Sequence, residues 1–250
     1  MSLLRRAFTA AVLLFLSAPL LALLTGGNWG LARLDAGDAR AVLTSLLGGA
    51  LAVVLIMLLG TPLALYLARG RGWPSALAEA LVLVPMLMPT LALGILLASF
   101  YGPASTVGGA FARVGLVLTN SPAAFVLAAV YAALPTYIIA ARAALANVPQ
   151  EFEQIARTLG DTPSRVFFRI TLPLARRGLA AALALCWVRA LGEFGIVLII
   201  AYFPAGMPVR LWTDVQDIGI QAVFPLVAAF LLVTLPVPLW LGLRARRSRA

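Results

Sequence analysis

Histidine and lysine are absent from this 250-residue chain, and cysteine occurs once. Each absence removes a class of chemistry. Without histidine there is no imidazole to move protons near neutral pH or to ligate a transition metal. A single cysteine, Cys186, forms no disulfide within the chain and no cysteine-rich metal site. Without lysine no Gly-x-x-x-x-Gly-Lys phosphate loop exists, so this chain has no Walker A site of its own. Charge is scarce too: 11% of residues are charged, against about 25% in soluble domains. Apolar residues make up 62%. So little polar surface cannot cover a globule in water. The composition reads as one all-α, polytopic membrane domain over residues 1–250, with no catalytic residue, no metal site and no cofactor held by this chain.

A membrane-crossing helix needs about 20 apolar residues, because about 30 Å of hydrocarbon is covered at 1.5 Å per residue. Six stretches qualify: residues 7–24, 41–68, 77–100, 122–146, 179–203 and 223–243. Arg5 and Arg6 ahead of an apolar run, with Ser17 and Ala18 near its end, also fit a signal peptide, which would leave five spans. All basic residues are arginine. With the N-terminus in the cytoplasm, the inside segments hold the arginines at 5, 6, 69, 71, 142, 157, 165, 169, 176, 177, 244, 246, 247 and 249. The outside segments hold only Arg33, Arg40, Arg113 and Arg210. This positive-inside bias predicts six spans with both termini cytoplasmic. It also accounts for the net charge of +10 without nucleic acid. The outside loops are 25–40, 101–121, with a short interfacial or re-entrant helix at 111–118, and 204–221, which carries Trp212, Asp214 and Asp217. The longest polar stretch, 147–178, lies inside.

That inside loop reads as two short helices around a break. Phe152, Ile155, Ala156 and Leu159 recur at i, i+3, i+4 and i+7, one apolar stripe. Glu151 and Glu153 sit in the first turn, where the helix dipole favours anions. Gly160 is placed to end the helix in a left-handed cap. Asp161 or Thr162 can cap the next helix, with Pro163 in its first turn. Val166, Phe167 and Ile170 give that helix an apolar side, and Pro173 is expected to stop it ahead of the fifth span. The stripe must be covered by lipid, by the chain's own bundle or by a partner's groove.

The run Ala156-Arg157-Thr158-Leu159-Gly160, nine residues, then Ile170-Thr171-Leu172-Pro173 resembles the coupling-loop signature of ABC importer permeases: EAA, three residues, Gly, nine residues, Ile-x-Leu-Pro. At the EAA position the chain reads Gln154-Ile155-Ala156, so Gln154 stands where the family has Glu, with Glu153 one residue earlier. The resemblance implies a type I ABC importer permease fold in the bacterial or archaeal inner membrane. It implies a pair of permease copies, a homodimer. Each copy's coupling helix would sit in a cleft of a cytoplasmic ABC ATPase dimer carrying ATP-Mg. A periplasmic or lipid-anchored binding protein would deliver the solute. The implied ATPase joint comprises Phe152, Glu153, Gln154, Ile155, Ala156, Leu159, Gly160 and Asp161.

Arg189-Ala190-Leu191-Gly192-Glu193-Phe194-Gly195 places two ionisable groups inside a span, where they are expensive and face a cavity or each other. Arg189 and Glu193 are i and i+4 and can pair. The pair is either a structural fixture or a pore element, and Gly192 and Gly195 permit close helix contact or local unwinding. This run is similar to a segment of molybdate, tungstate and sulfate permeases. So is Tyr202-Phe203-Pro204 with Leu211-Trp212, although Ala201-Tyr202 replaces a common Gly-Asn. A tetrahedral oxyanion is the implied solute; related permeases carry thiamine or polyamines. Pro85, Met88 and Pro89 in the third span free backbone carbonyls and suit either a gate or simple packing. Pore or gate residues are thus expected among Pro85, Met88, Pro89, Arg189, Gly192, Glu193, Phe194 and Gly195. Two other classes remain on the residues alone: a secondary transporter coupled through Arg189 and Glu193, and a membrane scaffold without flux.

Overall fold

The computed structural model describes residues 2–25 and 34–247; Arg33 and Arg249 of the charge tally lie outside the described residues. Among the described residues there are helices and no strand. Helix α1 (Ser2–Thr25) is exposed along nearly all of its described length and touches α12 (Phe224–Thr234) only lightly.

Helix α2 (Ala36–Arg69) is the long pillar of the fold. At 1.5 Å per residue it is about 50 Å long and overhangs a hydrocarbon layer of about 30 Å. It starts in a reciprocal cap: Asp38 N donates to Asp35 Oδ1 (2.7 Å) and Asp35 N to Asp38 Oδ2 (3.0 Å). Its buried face is a row of mostly small residues, among them Ala41, Ser45, Gly49, Ala52 and Ala64, three or four apart. Small faces let helices approach closely in a membrane, where water does not drive association. Helix α6 (Pro122–Ala146) packs along that row with an alanine-rich face of its own, and α9 (Leu172–Leu191) packs against α6 and also touches α2, with Leu191 over Gly49. Cys186 is buried in this core.

Three spans read as continuous are broken. Residues 77–100 form α3 (Trp73–Leu87) and α4 (Thr90–Tyr101), which meet at 110°. Pro89 explains the break, since a proline pushes the residue before it out of the helical region; Met88 is extended at φ −87°, ψ 143°. The fifth span ends its first helix at Leu191 and restarts as α10 (Gly195–Ile200). The sixth breaks at Leu235, between α12 and α13 (Pro236–Arg247). Pro238 has no N–H for the Thr234 carbonyl, and the Trp187 indole takes it instead (3.2 Å).

Two local expectations are corrected. Pro173 does not stop a helix. A short α8 (Pro163–Val166) runs into a π turn (Phe167–Thr171) and on into α9. Leu172 N reaches back five residues to Phe167 O, and the widened turn carries the chain past the missing proline donor. The short helix of the 101–121 loop is α5 (Thr106–Arg113), not 111–118. Ser105 caps it through Gly108 N (2.9 Å), and Gly115 at φ +82° turns the chain away after it.

Helices α4 and α10 pack together at the end of the bundle opposite α7 (Gln150–Thr158), with Leu93, Leu97, Ile196, Val197 and Ile200 in their shared core. Helix α11 (Met207–Ile218) lies against the start of α2.

Candidate functional site

The 147–178 loop folds as a short strut at one end of the bundle. Helix α7 ends in a Schellman motif: Gly160 N donates to Arg157 O and Asp161 N to Ala156 O, each at 3.0 Å, with Gly160 at φ +93°. Thr162 Oγ1 accepts weakly from Arg165 N (3.4 Å) and opens α8. The expected stripe is divided by the way the helix is turned. Ala156 is buried, while Phe152, Ile155 and Leu159 are 50%, 56% and 83% exposed. The face turned into the bundle carries Glu153, 7% exposed. Glu153 Oε1 accepts from Arg69 Nη2 and from Thr171 Oγ1, both at 2.7 Å, and Arg69 Nη2 also donates to Val148 O (3.2 Å). One carboxylate therefore ties the end of α2, the foot of α9 and helix α7 together. Burial raises the Glu153 carboxyl, but hydrogen bonds from Arg69 and Thr171 outweigh it and hold the group below its ordinary range. Asp161 and Gln154 point no comparable bond into the bundle; Asp161 pairs with exposed Arg165 at 3.4 Å. Glu79 on α3 and Arg142 on α6 pair at the same end of the bundle.

The second group sits at the broken spans. Glu193 is buried, and its Oε1 caps α10 by accepting from Ile196 N (2.9 Å). Arg189 Nη1 lies 2.7 Å from Glu193 Oε2. A methyl on Gly195 would overlap Thr90 Oγ1 and fall 2.8 Å from Thr90 Cβ and 3.0 Å from Leu91 N, so the first turns of α10 and α4 touch backbone to backbone. Phe194 stacks obliquely on Trp212 of α11, ring centres 5.7 Å apart. The structure thus brings Glu193, Phe194 and Gly195 together with the helix that follows Met88 and Pro89. Pro85 lies within α3, a turn before the break.

Sequence reasoning missed the partners. Nothing in Arg69-Gly70 at the end of a span announces a bond to Glu153, 84 residues on. It also missed a clasp at the opposite end. Arg210 Nη2 meets Asp35 Oδ2 (2.8 Å), and its Nε meets Asp38 Oδ1 (3.0 Å) and Asp214 Oδ2 (3.1 Å). The clasp holds α11 to α2, beside the bond from Met207 N to Ser45 Oγ (2.8 Å). Burial pushes the Asp214 carboxyl up, Arg210 pulls it back, and Asp38 and Asp35 push it up again, leaving it raised. Asp35 is held down, first by the Asp38 backbone N–H. Arg210→Met leaves three carboxylates facing one another and is expected to lower stability by about 1–3 kcal/mol. Because protonation relieves that repulsion, the gap from wild type should narrow as pH falls from 7 toward 5; thermal unfolding in detergent at both pH values checks it.

Against solved structures, the chain superposes on a bacterial alginate ABC transporter in complex with its alginate pentasaccharide-bound periplasmic protein. The TM-score is 0.75 at 17% identity, covering 98% of this chain and 94% of that one. The fold is that of a type I ABC importer permease, a multi-pass membrane transport component. The chain belongs to the family of binding-protein-dependent transport system inner membrane components, which matches residues 60–250. Among its relatives is a probable molybdenum ABC transporter permease protein of Haloferax volcanii, 38% identical over 146 residues. That match covers 58% of this chain and about half, 53%, of the relative. The molybdenum transport system permease protein ModB of Escherichia coli is 31% identical over 220 residues, 84% of this chain and 96% of that one.

Proposed function

We propose that this chain is the pore-forming permease subunit of an ATP-driven importer for a tetrahedral oxyanion such as molybdate, tungstate or sulfate. It works in the inner membrane with both termini in the cytoplasm, paired with a second copy. A cytoplasmic ATPase dimer carrying ATP-Mg supplies the energy, and a periplasmic or lipid-anchored binding protein supplies the solute. The observation that carries the reading is the orientation of α7. Its buried face is locked to α2 and α9 through Glu153, and its outward face offers Phe152, Ile155 and Leu159, which stay half or more exposed among the described residues. A helix that is rigidly joined above and apolar below transmits a push from a groove that receives it. The named relatives support the solute class.

Co-purification tests the coupling. The tagged chain is expected to bring down an ATPase of the Walker type, and Phe152→Glu with Leu159→Glu to lose it. Each buried charge opposes docking by several kcal/mol, so capture should fall by more than about tenfold. Both side chains are exposed, so the variant should keep the parent's unfolding temperature. Uptake without any ATPase, driven by an ion gradient, would instead favour a secondary transporter. The solute class is tested by molybdate uptake into vesicles containing the complete transporter.

A further inference from the structure

Arg189 is a charge in an unusual position. It lies near the end of α9, well inside a span, yet its side chain is 39% exposed. The neighbours on its open side are apolar: Leu185 and Val188 are exposed, and so is Gly192. Cys186, Trp187, Ala190 and Leu191, on the other side, are buried in the chain's own core. A guanidinium facing hydrocarbon would leave several N–H donors unmet at membrane depth, which costs several kcal/mol. This strip of α9 is therefore best satisfied by facing the solute path.

The contact with Glu193 is close but poorly aimed. Arg189 Nη1 is 2.7 Å from Glu193 Oε2, yet that oxygen accepts no hydrogen bond among the described residues and is buried. The other carboxylate oxygen is committed to the backbone of α10. Glu193 is thus fixed, and Arg189 is tethered to it by charge rather than by direction. The pair is neutral at rest, which lets it sit in the membrane. The Arg189 side chain is 39% exposed, so the pairing leaves it open to a further partner.

We propose that Arg189 is the residue that receives the oxyanion in transit, with Glu193 as its resting counter-ion. A guanidinium binds a tetrahedral oxyanion through the same parallel N–H···O geometry it uses for a carboxylate. One cation half-neutralised by Glu193 gives a weak site, and transit needs a site the solute can leave. This rests on the oxyanion reading above.

The test uses the complete transporter, with its ATPase and binding protein, in vesicles supplied with molybdate. Arg189→Gln is expected to cut uptake by about 10- to 100-fold, the loss of one charge-assisted contact, while ATP hydrolysis still responds to the loaded binding protein. Arg189→Lys should retain a measurable fraction. The double variant Arg189→Gln with Glu193→Gln removes the charge pair while keeping an acceptor oxygen for Ile196 N. It should unfold at the parent's temperature and still fail to transport. Wild-type uptake by the double variant would overturn the proposal and leave a purely structural pair. A wild-type transporter that takes up no oxyanion would show the failure to lie in the solute reading itself, and the proposal would fall with it.

Discussion

Gly195→Val is expected to abolish transport and to lower the unfolding temperature of the permease. A Cβ at this position overlaps Thr90 Oγ1 and comes within 3.0 Å of Leu91 N. The closest overlaps are with the short Thr90 side chain, whose Cβ is fixed to its backbone and cannot swing clear as the end of a long side chain can, so α4 and α10 must separate. Overpacking costs about 1–3 kcal/mol, and the top of that range applies when two helices must move together. Movement here also drags the Glu193 cap and Phe194, which carries the ring of Trp212. A milder pair isolates the cause. Gly195→Ala alone should behave much like the valine variant, whereas Gly195→Ala with Thr90→Gly should recover much of the lost stability, because both overlapping atoms belong to the Thr90 side chain. Failure of that rescue would place the defect elsewhere than in the α4–α10 contact.

Glu153→Leu has the second large effect, and it separates hydrolysis from transport. It removes the acceptor for both Arg69 and Thr171 and leaves the Arg69 guanidinium, mostly buried, with only the Val148 carbonyl. Breaking such a pair from one side costs about 3 kcal/mol, less where solvent reaches the charge. On the ATP-driven reading proposed above, the expected phenotype is an assembled transporter that hydrolyses ATP and moves little solute, since α7 can then shift without moving α2 or α9. Adding Arg69→Leu should restore stability and leave coupling impaired. The pH dependence has a definite sign. The folded value of Glu153 is depressed, so its stabilisation is complete above the ordinary Glu value of 4.5 and is lost only as pH falls below that through the folded value. Wild-type coupling should therefore be flat across the neutral range.

How much of this was legible in the sequence differs from element to element. The Gly160 cap was readable because only a residue tolerant of positive φ ends a helix that way, and the local spacing is self-contained. The breaks at Met88-Pro89 and Gly192 were readable as weak points but not as a 110° turn, because the angle is set by α4 settling on α10 rather than by proline alone. The helical passage through Pro173 was not readable: a π turn is a compromise between a local defect and the packing of α8 and α9 on their neighbours. The stripe on α7 was visible, but its rotation was not, since Glu153 looks like a first-turn acid until Arg69 is placed beside it. Arg210 read as an outside charge; Asp214 is its helical neighbour, but Asp35 and Asp38 lie more than 170 residues away in the chain.

The buried Cys186 bears on how motion in this protein is to be measured. A thiol enclosed by the α9 core, in a chain without a single lysine side-chain amine, gives almost no background to maleimide or amine-directed reagents. A cysteine placed at exposed Leu159 would be labelled alone. In a paired transporter, two spin labels or fluorophores there would become a ruler between the two struts. On the paired, ATP-driven reading proposed above, the distance they report would follow the stroke without any change to the native core.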